Sequence, residues 1–332
     1  MALQTVLTKR LGLRYPIIAA PLGRGSTPEF LGALAHEGAM GFVGLHMPEP
    51  EVRQILSGYV AATGAADRFG VNLTLIVDQT RRHEAALEAG CRVVSYWQGD
   101  IAPYARRAKD AGAIVFWTIS GPADAARAAD LGVDFVVVQG REAGGHLVGE
   151  APLMSLLPAV VDKAGNVPVV AAGGIADGRG LAAALALGAC GVWMGTRFVA
   201  SVESGNHPNY KAKITEAKFS DLVETTLFDG GWPDSPHRVI RNSTLTRWEQ
   251  AGRPAPGARP GEGERIGTLP DGSPMLRYNV SAPWASMEAD WEAGPHYAGA
   301  SAALVHKVEP IATILSRIEA DAETSLRRVQ LS

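Results

Sequence analysis

Short apolar runs rich in Val, Ile and Phe alternate with Ala-rich stretches of helical spacing over about the first 200 residues, the pattern of βα units that build a parallel sheet. Eight runs read as strands: Pro16 to Leu22, Met40 to Leu45, Phe69 to Leu75, Arg92 to Trp97, Ala113 to Ile119, Asp134 to Gln139, Val167 to Ala172 and Gly191 to Gly195. Several are almost continuously apolar, as strands covered on both faces must be. Five of the intervening stretches end alike, with a glycine followed at once by the next strand: HEGAMGFVG at Gly38, LEAGCRVVS at Gly90, KDAGAIVFW at Gly112, ADLGVDFVV at Gly132 and LALGACGVW at Gly188. Glycine just past a helix accepts the left-handed conformation that stops it, so each junction reads as helix, stop, strand. Eight such units predict an α/β fold, a (β/α)8 TIM barrel. The alternative is an open doubly wound sheet, but no GxGxxG follows the first strand, where the chain reads LGRGSTPEF.

The pattern then breaks. From Asp229 to Met275, 15 of 47 residues are Gly or Pro and neither period survives. A structureless loop of that length is foreign to a compact domain. The aromatic residues in and around it, Trp232, Trp248, Trp284, Trp291 and Tyr297, are the kind that disordered segments lack. Residues 206–299 therefore read as an irregular and helical insertion over the barrel mouth, with helices expected at Tyr210 to Thr226 and Ala285 to Ala293. Its aromatic residues serve either as a lid or as the insertion's own core. A helical stripe returns from Ser301 to Val329 through Leu304, Val308, Ile311, Ile314, Leu315 and Ile318, and predicts the closing barrel helix. The expected organisation is a barrel of residues 1–205 plus 300–332, interrupted by a substrate-side subdomain at 206–299.

Composition changes this picture little. Hydrophobic residues at 46% against 20% charged exclude a disordered chain, and a net charge of -3 gives no reason to expect nucleic acid or an anionic membrane as partner. No apolar run reaches the ~18 residues of a membrane span, and Met1 to Pro16 has no apolar core of a signal peptide. Two cysteines, Cys91 and Cys190, form no disulfide framework and no Cys/His cluster has metal-ligand spacing, so a cytoplasmic protein without metal is expected. Glycine is abundant, 38 of 332 residues against a usual ~7%, which asks for backbone lying close to something.

In such barrels the chemistry sits at the C-terminal ends of the strands. Three glycine-rich strings fall there: QGREAGGH (139–146), AAGGIADGRG (171–180) and WMGTRF (193–198). The last two follow the seventh and eighth strands, where barrels commonly hold a phosphate, and Gly173, Gly174, Gly195 and Thr196 are candidates for its cradle. The plain alternative is that these glycines only make tight turns. His146 stands beside a glycine pair at a strand-end loop, suited to proton transfer or to holding an anion. Asn72 and Gln139 carry amides that match a heterocycle edge or, equally, cap a loop backbone. Asp177 reads as a helix cap, Cys91 and Cys190 as buried packing groups, and Met194 as a packing residue whose backbone could line a cofactor site.

APL near Pro21, STPEF, FGVNL, QGREAGGH, VPVVAAGGIADGRG, ALGACGVWMGTRF and YAGAS, taken together, resemble the nitronate monooxygenase family, formerly called 2-nitropropane dioxygenases. The resemblance runs from about Thr8 to Ile318. It implies an FMN-binding barrel in which Ala20, Pro21 and Leu22 lie by the flavin's reactive edge and Asn72 and Gln139 bond the isoalloxazine. Gly144, Gly145, Gly173, Gly174, Met194, Gly195 and Thr196 would then hold the ribityl phosphate, with His146 as the catalytic histidine. The implied reaction is oxidation of an alkyl nitronate, or of its nitroalkane, by O2. Two positions depart from the family's usual pattern: Leu22, where methionine is common, and Ala300, where the late motif often has glutamine. The same motifs occur in NAD(P)H-dependent enoyl-acyl carrier protein and quinone reductases, which makes a reductase the first rival. A noncatalytic binder of phosphate ligands is the second.

Overall fold

The computed structural model describes residues 3–47 and 49–330. All eight expected strands are present: β1 (Ile17–Ala19), β2 (Met40–Gly44), β3 (Gly70–Thr74), β4 (Val93–Trp97), β5 (Ile114–Ile119), β6 (Phe135–Gln139), β8 (Val169–Ala172) and β9 (Gly191–Met194). They pair in parallel in that order, and Ile18 of β1 lies opposite both Met40 and Trp193, which closes the ring. The fold is a (β/α)8 barrel. A two-residue strand, β7 (Gly145–His146), leaves the loop after β6 and takes no part in the ring.

Strand residues alternate between two buried environments. Val71, Val94, Tyr96, Val115, Trp117, Val136, Val138, Ala171, Val192 and Met194 face the helical layer. Ile18, Met40, Phe42, Val93, Phe116, Phe135, Val137, Val170 and Trp193 fill the barrel. Phe116 and Phe135 stack at 4.7 Å there, and Phe42 lies 4.4 Å from Trp193. By the same alternation Asn72, Ser95, Thr118 and Gln139 form a polar layer above this plug, at the C-terminal end where a site belongs.

The junction glycines behave as expected. Gly38, Gly90, Gly112, Gly132 and Gly188 all have φ between 71° and 97°. After each, the next residue's N–H reaches back to close the helix, as Ala113 N–H does to the carbonyl of Ala108 at 2.9 Å. At Gly112 a Cβ would meet nothing within 4 Å, so only backbone conformation forbids a side chain. Gly112→Ala should therefore cost about 1 kcal/mol, visible as a lower urea midpoint with an unchanged slope.

The segment after β9 is ordered and has its own small cores. Its strands are β10 (Leu222–Thr225), β11 (His237–Ile240), the hairpin β12 (Arg265–Thr268) and β13 (Pro274–Leu276), and β14 (His296–Tyr297). β11 is the hub, pairing antiparallel with β10, β14 and β7. Two of the expected helices need correction. The first ends at Glu216, because residues 222–225 extend instead to pair with β11. The second, Ala285 to Ala293, is absent: Ala285 N–H donates to Gly205 and Asp290 N–H to Ile266, so tertiary partners take the backbone groups a helix would use. The closing helix spans Ile311–Gln330 rather than starting near Ser301. Pro310 has no N–H to donate and disfavours helical backbone at Glu309. Leu304 and Val308, left outside the helix, are 39% and 41% exposed, while Ile311, Ile314, Leu315 and Ile318 are buried.

Candidate active site

His146 is held at the barrel mouth by main chain. Its strand lies opposite β11 in the register His146↔His237, and Gly145 turns into it with φ 72°. The imidazole stacks on Trp232 at 3.9 Å and 17°, with Trp97 from the end of β4 at 6.4 Å and 70°, His237 at 5.3 Å and Tyr297 at 5.5 Å. Nε2 is buried and has no hydrogen-bond partner among the described residues. Burial first, then the neighbouring His237 and His46, lowers its pKa to about 3, so the ring is neutral at physiological pH.

The neighbours define its surroundings. His237 is fully buried, with Nδ1 2.9 Å from the Ser235 carbonyl and Nε2 accepting from Phe228 N–H at 3.4 Å. That pattern requires the neutral tautomer with its proton on Nδ1. His46, just past β2, touches solvent yet is ringed by protein atoms; this crowding, with Arg82 and Arg24, lowers its pKa. The Tyr297 hydroxyl donates to the Val280 carbonyl at 3.0 Å.

On the floor, among the described residues, Ser95 Oγ is buried without a partner and the carboxamide of buried Asn72 makes no hydrogen bond. Gln139 is engaged differently: its Nε2 donates to the His146 carbonyl at 3.1 Å and its Oε1 accepts from Val148 N–H at 2.7 Å. It braces the histidine loop and keeps only its second amide hydrogen for a ligand.

The glycine strings divide into two kinds. Gly173 and Gly174 follow β8 with φ of 102° and 71°, and Gly195 and Thr196 follow its neighbour β9. The N–H groups of Gly173, Gly174 and Thr196 donate to no described group, so two adjacent loops present free donors. A Cβ at Gly195 would meet Ala20 Cβ at 3.5 Å and Leu22 Cδ2 at 4.0 Å, which places the β1 end beside the same loop. Gly144 is in addition tightly packed: a Cβ there would lie 2.2 Å from Gly299 N. Met194 points its side chain into the helical layer, and its carbonyl accepts from Ala20 N–H at 2.9 Å. The Thr196 hydroxyl accepts from Gly299 N–H at 3.0 Å. Asp177 caps the helix Gly178–Ala186 through Arg179 and Gly180 N–H.

Orphan backbone donors on one side, unpaired Asn72 and Ser95 on the floor and an uncharged histidine above suit a planar heterocycle bearing an anionic tail. A family model for nitronate monooxygenase matches residues 58–321. The chain belongs to the nitronate monooxygenase family. A probable nitronate monooxygenase of Staphylococcus saprophyticus is 30% identical over 300 residues, covering 75% of this chain and 82% of that protein. A (3aS,4S,5R,7aS)-5-hydroxy-7a-methyl-1-oxo-octahydro-1H-indene-4-carboxyl-CoA dehydrogenase of Mycobacterium tuberculosis is 35% identical over 257 residues, 76% of this chain and 70% of that one. Among solved structures, FabK of Thermotoga maritima superposes with a TM-score of 0.83 at 30% identity over 99% of both chains. A nitroalkane oxidase of Streptomyces ansochromogenes does so at 0.77 and 25% identity, over 98% of this chain and 99% of that one. Nitronate monooxygenase membership makes the protein a flavin-dependent oxidoreductase acting on a small molecule. No helix among the described residues is long and apolar enough to cross a membrane.

Several residues around the barrel mouth had no distinct signal in the sequence. Trp97 looked like the end of a strand, and Ser95 like an ordinary strand residue. His237 lay in the aperiodic stretch. The insertion's aromatic residues divide between the two roles considered for them. Trp232 and Tyr297 face His146, whereas Trp248 packs with Leu227, Phe228, Val239, Leu245 and Tyr278, and Trp284 and Trp291 with Ile266, Met275, Met287 and Ala293.

Proposed function

We propose that this protein is an FMN-dependent oxidoreductase that oxidises alkyl nitronates, or the parent nitroalkanes, with O2. Two nitronates and one O2 give two carbonyl compounds and two nitrite ions. The reading rests on one observation above all: a neutral His146 with its Nε2 unpaired stands over a barrel mouth flanked by glycine loops with free N–H groups.

The N–H groups of Gly173, Gly174 and Thr196 hold the cofactor phosphate, with Gly195 allowing close approach. Asn72 and the free hydrogen of Gln139 address the ring, and Ala20, Pro21 and Leu22 border its reactive edge. Bound FMN supplies the electron transfer between substrate carbon and O2. The chain's own part is positioning and proton handling. A nitronate arrives already deprotonated at carbon, so an uncharged imidazole need only orient it through a hydrogen bond. A neutral nitroalkane must first lose its α-proton, and Nε2 is the lone pair available to take it. Residues 206–299 form the substrate-side subdomain over the barrel of 1–205 plus 300–332, and Trp97 and Trp232 give the pocket an aromatic wall.

A second reading, a reductase using a nicotinamide donor, is favoured by the likeness to FabK and to the CoA dehydrogenase. One purified sample distinguishes the two. Visible absorbance should show bound flavin, and a nitronate under air should release nitrite. Anaerobic NADH should leave the flavin oxidised. Bleaching by NADH with no nitrite from any nitronate would hand the site to the reductase.

A further inference from the structure

The insertion contributes a ring to the site that the barrel motifs do not supply. Trp232 lies in the turn between Phe228 and His237 and stacks face to face on His146 at 3.9 Å and 17°. Trp97, from β4, meets Trp232 edge-on at 5.2 Å and 86° and His146 at 6.4 Å and 70°. Both indoles thus lie to the same side of the imidazole, Trp232 covering its face and Trp97 bracing Trp232 edge-on, while Gln139 holds the histidine's main chain. We propose that Trp232 is a positioning residue for the reaction: braced edge-on by Trp97, it covers one face of the His146 ring and shuts water away from it, so that the histidine acts as a neutral group.

Physical chemistry pulls in two directions at this contact. An indole face under an imidazolium favours the charged ring, whereas removing water disfavours it. Burial wins, since it is the largest cause of the fall to about 3. The titratable groups facing His146 add to that direction. His237 from β11 and His46 from the loop after β2 both lower its pKa. The hydroxyl of Tyr297 from β14 is engaged with the Val280 carbonyl. No described carboxylate forms a hydrogen bond or ion pair with the ring to counter them.

Replacing Trp232 with Ala opens one face of the imidazole to solvent, and Trp232→Phe restores a ring. This inference rests on the assignment of His146 to the reacting site, so two readouts separate them. The first is the histidine Cε1 NMR signal of the holoenzyme, assigned by its loss in H146N and followed with pH. Expected is no titration of His146 above pH 5 in the parent protein and in W232F, and a titration moved up by at least about one unit in W232A. The second is the pH profile of nitrite release from a nitroalkane, which should gain an acid limb in W232A alone. A His146 signal that titrates identically in W232A and the parent would overturn the proposal. A shifted signal without a new acid limb would uphold the shielding by Trp232 while removing proton transfer from His146. A folded W232A that only loses rate, with both pH curves unmoved, would reduce Trp232 to a packing residue and also overturn it.

Discussion

Replacing His146 with Asn is expected to lower nitrite release from a neutral nitroalkane by about 100-fold while FMN stays bound. General bases contribute roughly 10²–10⁴, and burial places this one at the lower end, because a ring with a pKa of about 3 has little driving force for taking a proton. The loss with a preformed nitronate should be much smaller, since no carbon–proton bond remains to be broken. The sign of the pH dependence follows from the same shift. His146 is neutral at every pH well above about 3, so the parent enzyme should show no acid limb from this group between pH 5 and 8. Stopped-flow nitrite assays on the two substrate forms, with flavin content measured by absorbance, check both statements. Equal turnover of the nitroalkane by H146N would end the base role.

Gly144→Ala should be strongly damaging at the site. A Cβ there would lie 2.2 Å from Gly299 N and 2.4 Å from the carbonyl carbon of Ala298, and both are backbone atoms with no rotamer to yield. The 298–300 segment would have to move. Its links to the barrel would go with it: Gly299 N–H to Thr196 Oγ1 at 3.0 Å and Ala300 N–H to the Glu142 carbonyl at 2.8 Å. The expected cost is about 3 kcal/mol, as for other overpacked sites, or a Tm lower by roughly 4 °C. Release of flavin should accompany it, because Thr196 belongs to the proposed phosphate cradle. Gly145→Ala is the control. Nothing lies within 4 Å of its Cβ position, and only the φ of 72° opposes a side chain, so about 1 kcal/mol is expected. Similar melting curves for the two variants would contradict this account.

The contrast between those neighbouring glycines shows where sequence reasoning stops. The barrel was legible because its strands are buried on both faces and its helices end in left-handed glycines, two signals carried by adjacent residues. The place of the mouth was legible because β strands deliver their last residues there. The division of labour among them was not. Gln139 was open to two readings, a ring contact or a cap on loop backbone, and its amide does the second by reaching His146 and Val148 while one hydrogen stays free. Met194 offers only main chain, since alternation along β9 turns its side chain outward. The pairing of β7 with β11 left no pattern at all, because a two-residue strand has no period. The same limit applied to Ala285–Ala293, where helical composition lost to backbone partners at Gly205 and Ile266. Trp232 was visible as an aromatic residue in an aperiodic stretch, but its partner on the other side of the stack was not.

The short ladder between His146 and His237 also bears on the order in which the protein is made. The eighth barrel strand ends at Met194, so every strand of the ring has been synthesised before β11 exists to pair with the histidine loop. Chains fold from the N-terminal side as they emerge. A nascent barrel therefore waits, with its histidine unpaired and the facing Trp232 not yet translated, until residues 232–240 follow. The arrangement around His146 is therefore completed only after the strands of the ring, and Tyr297, which also faces the histidine, is added later still.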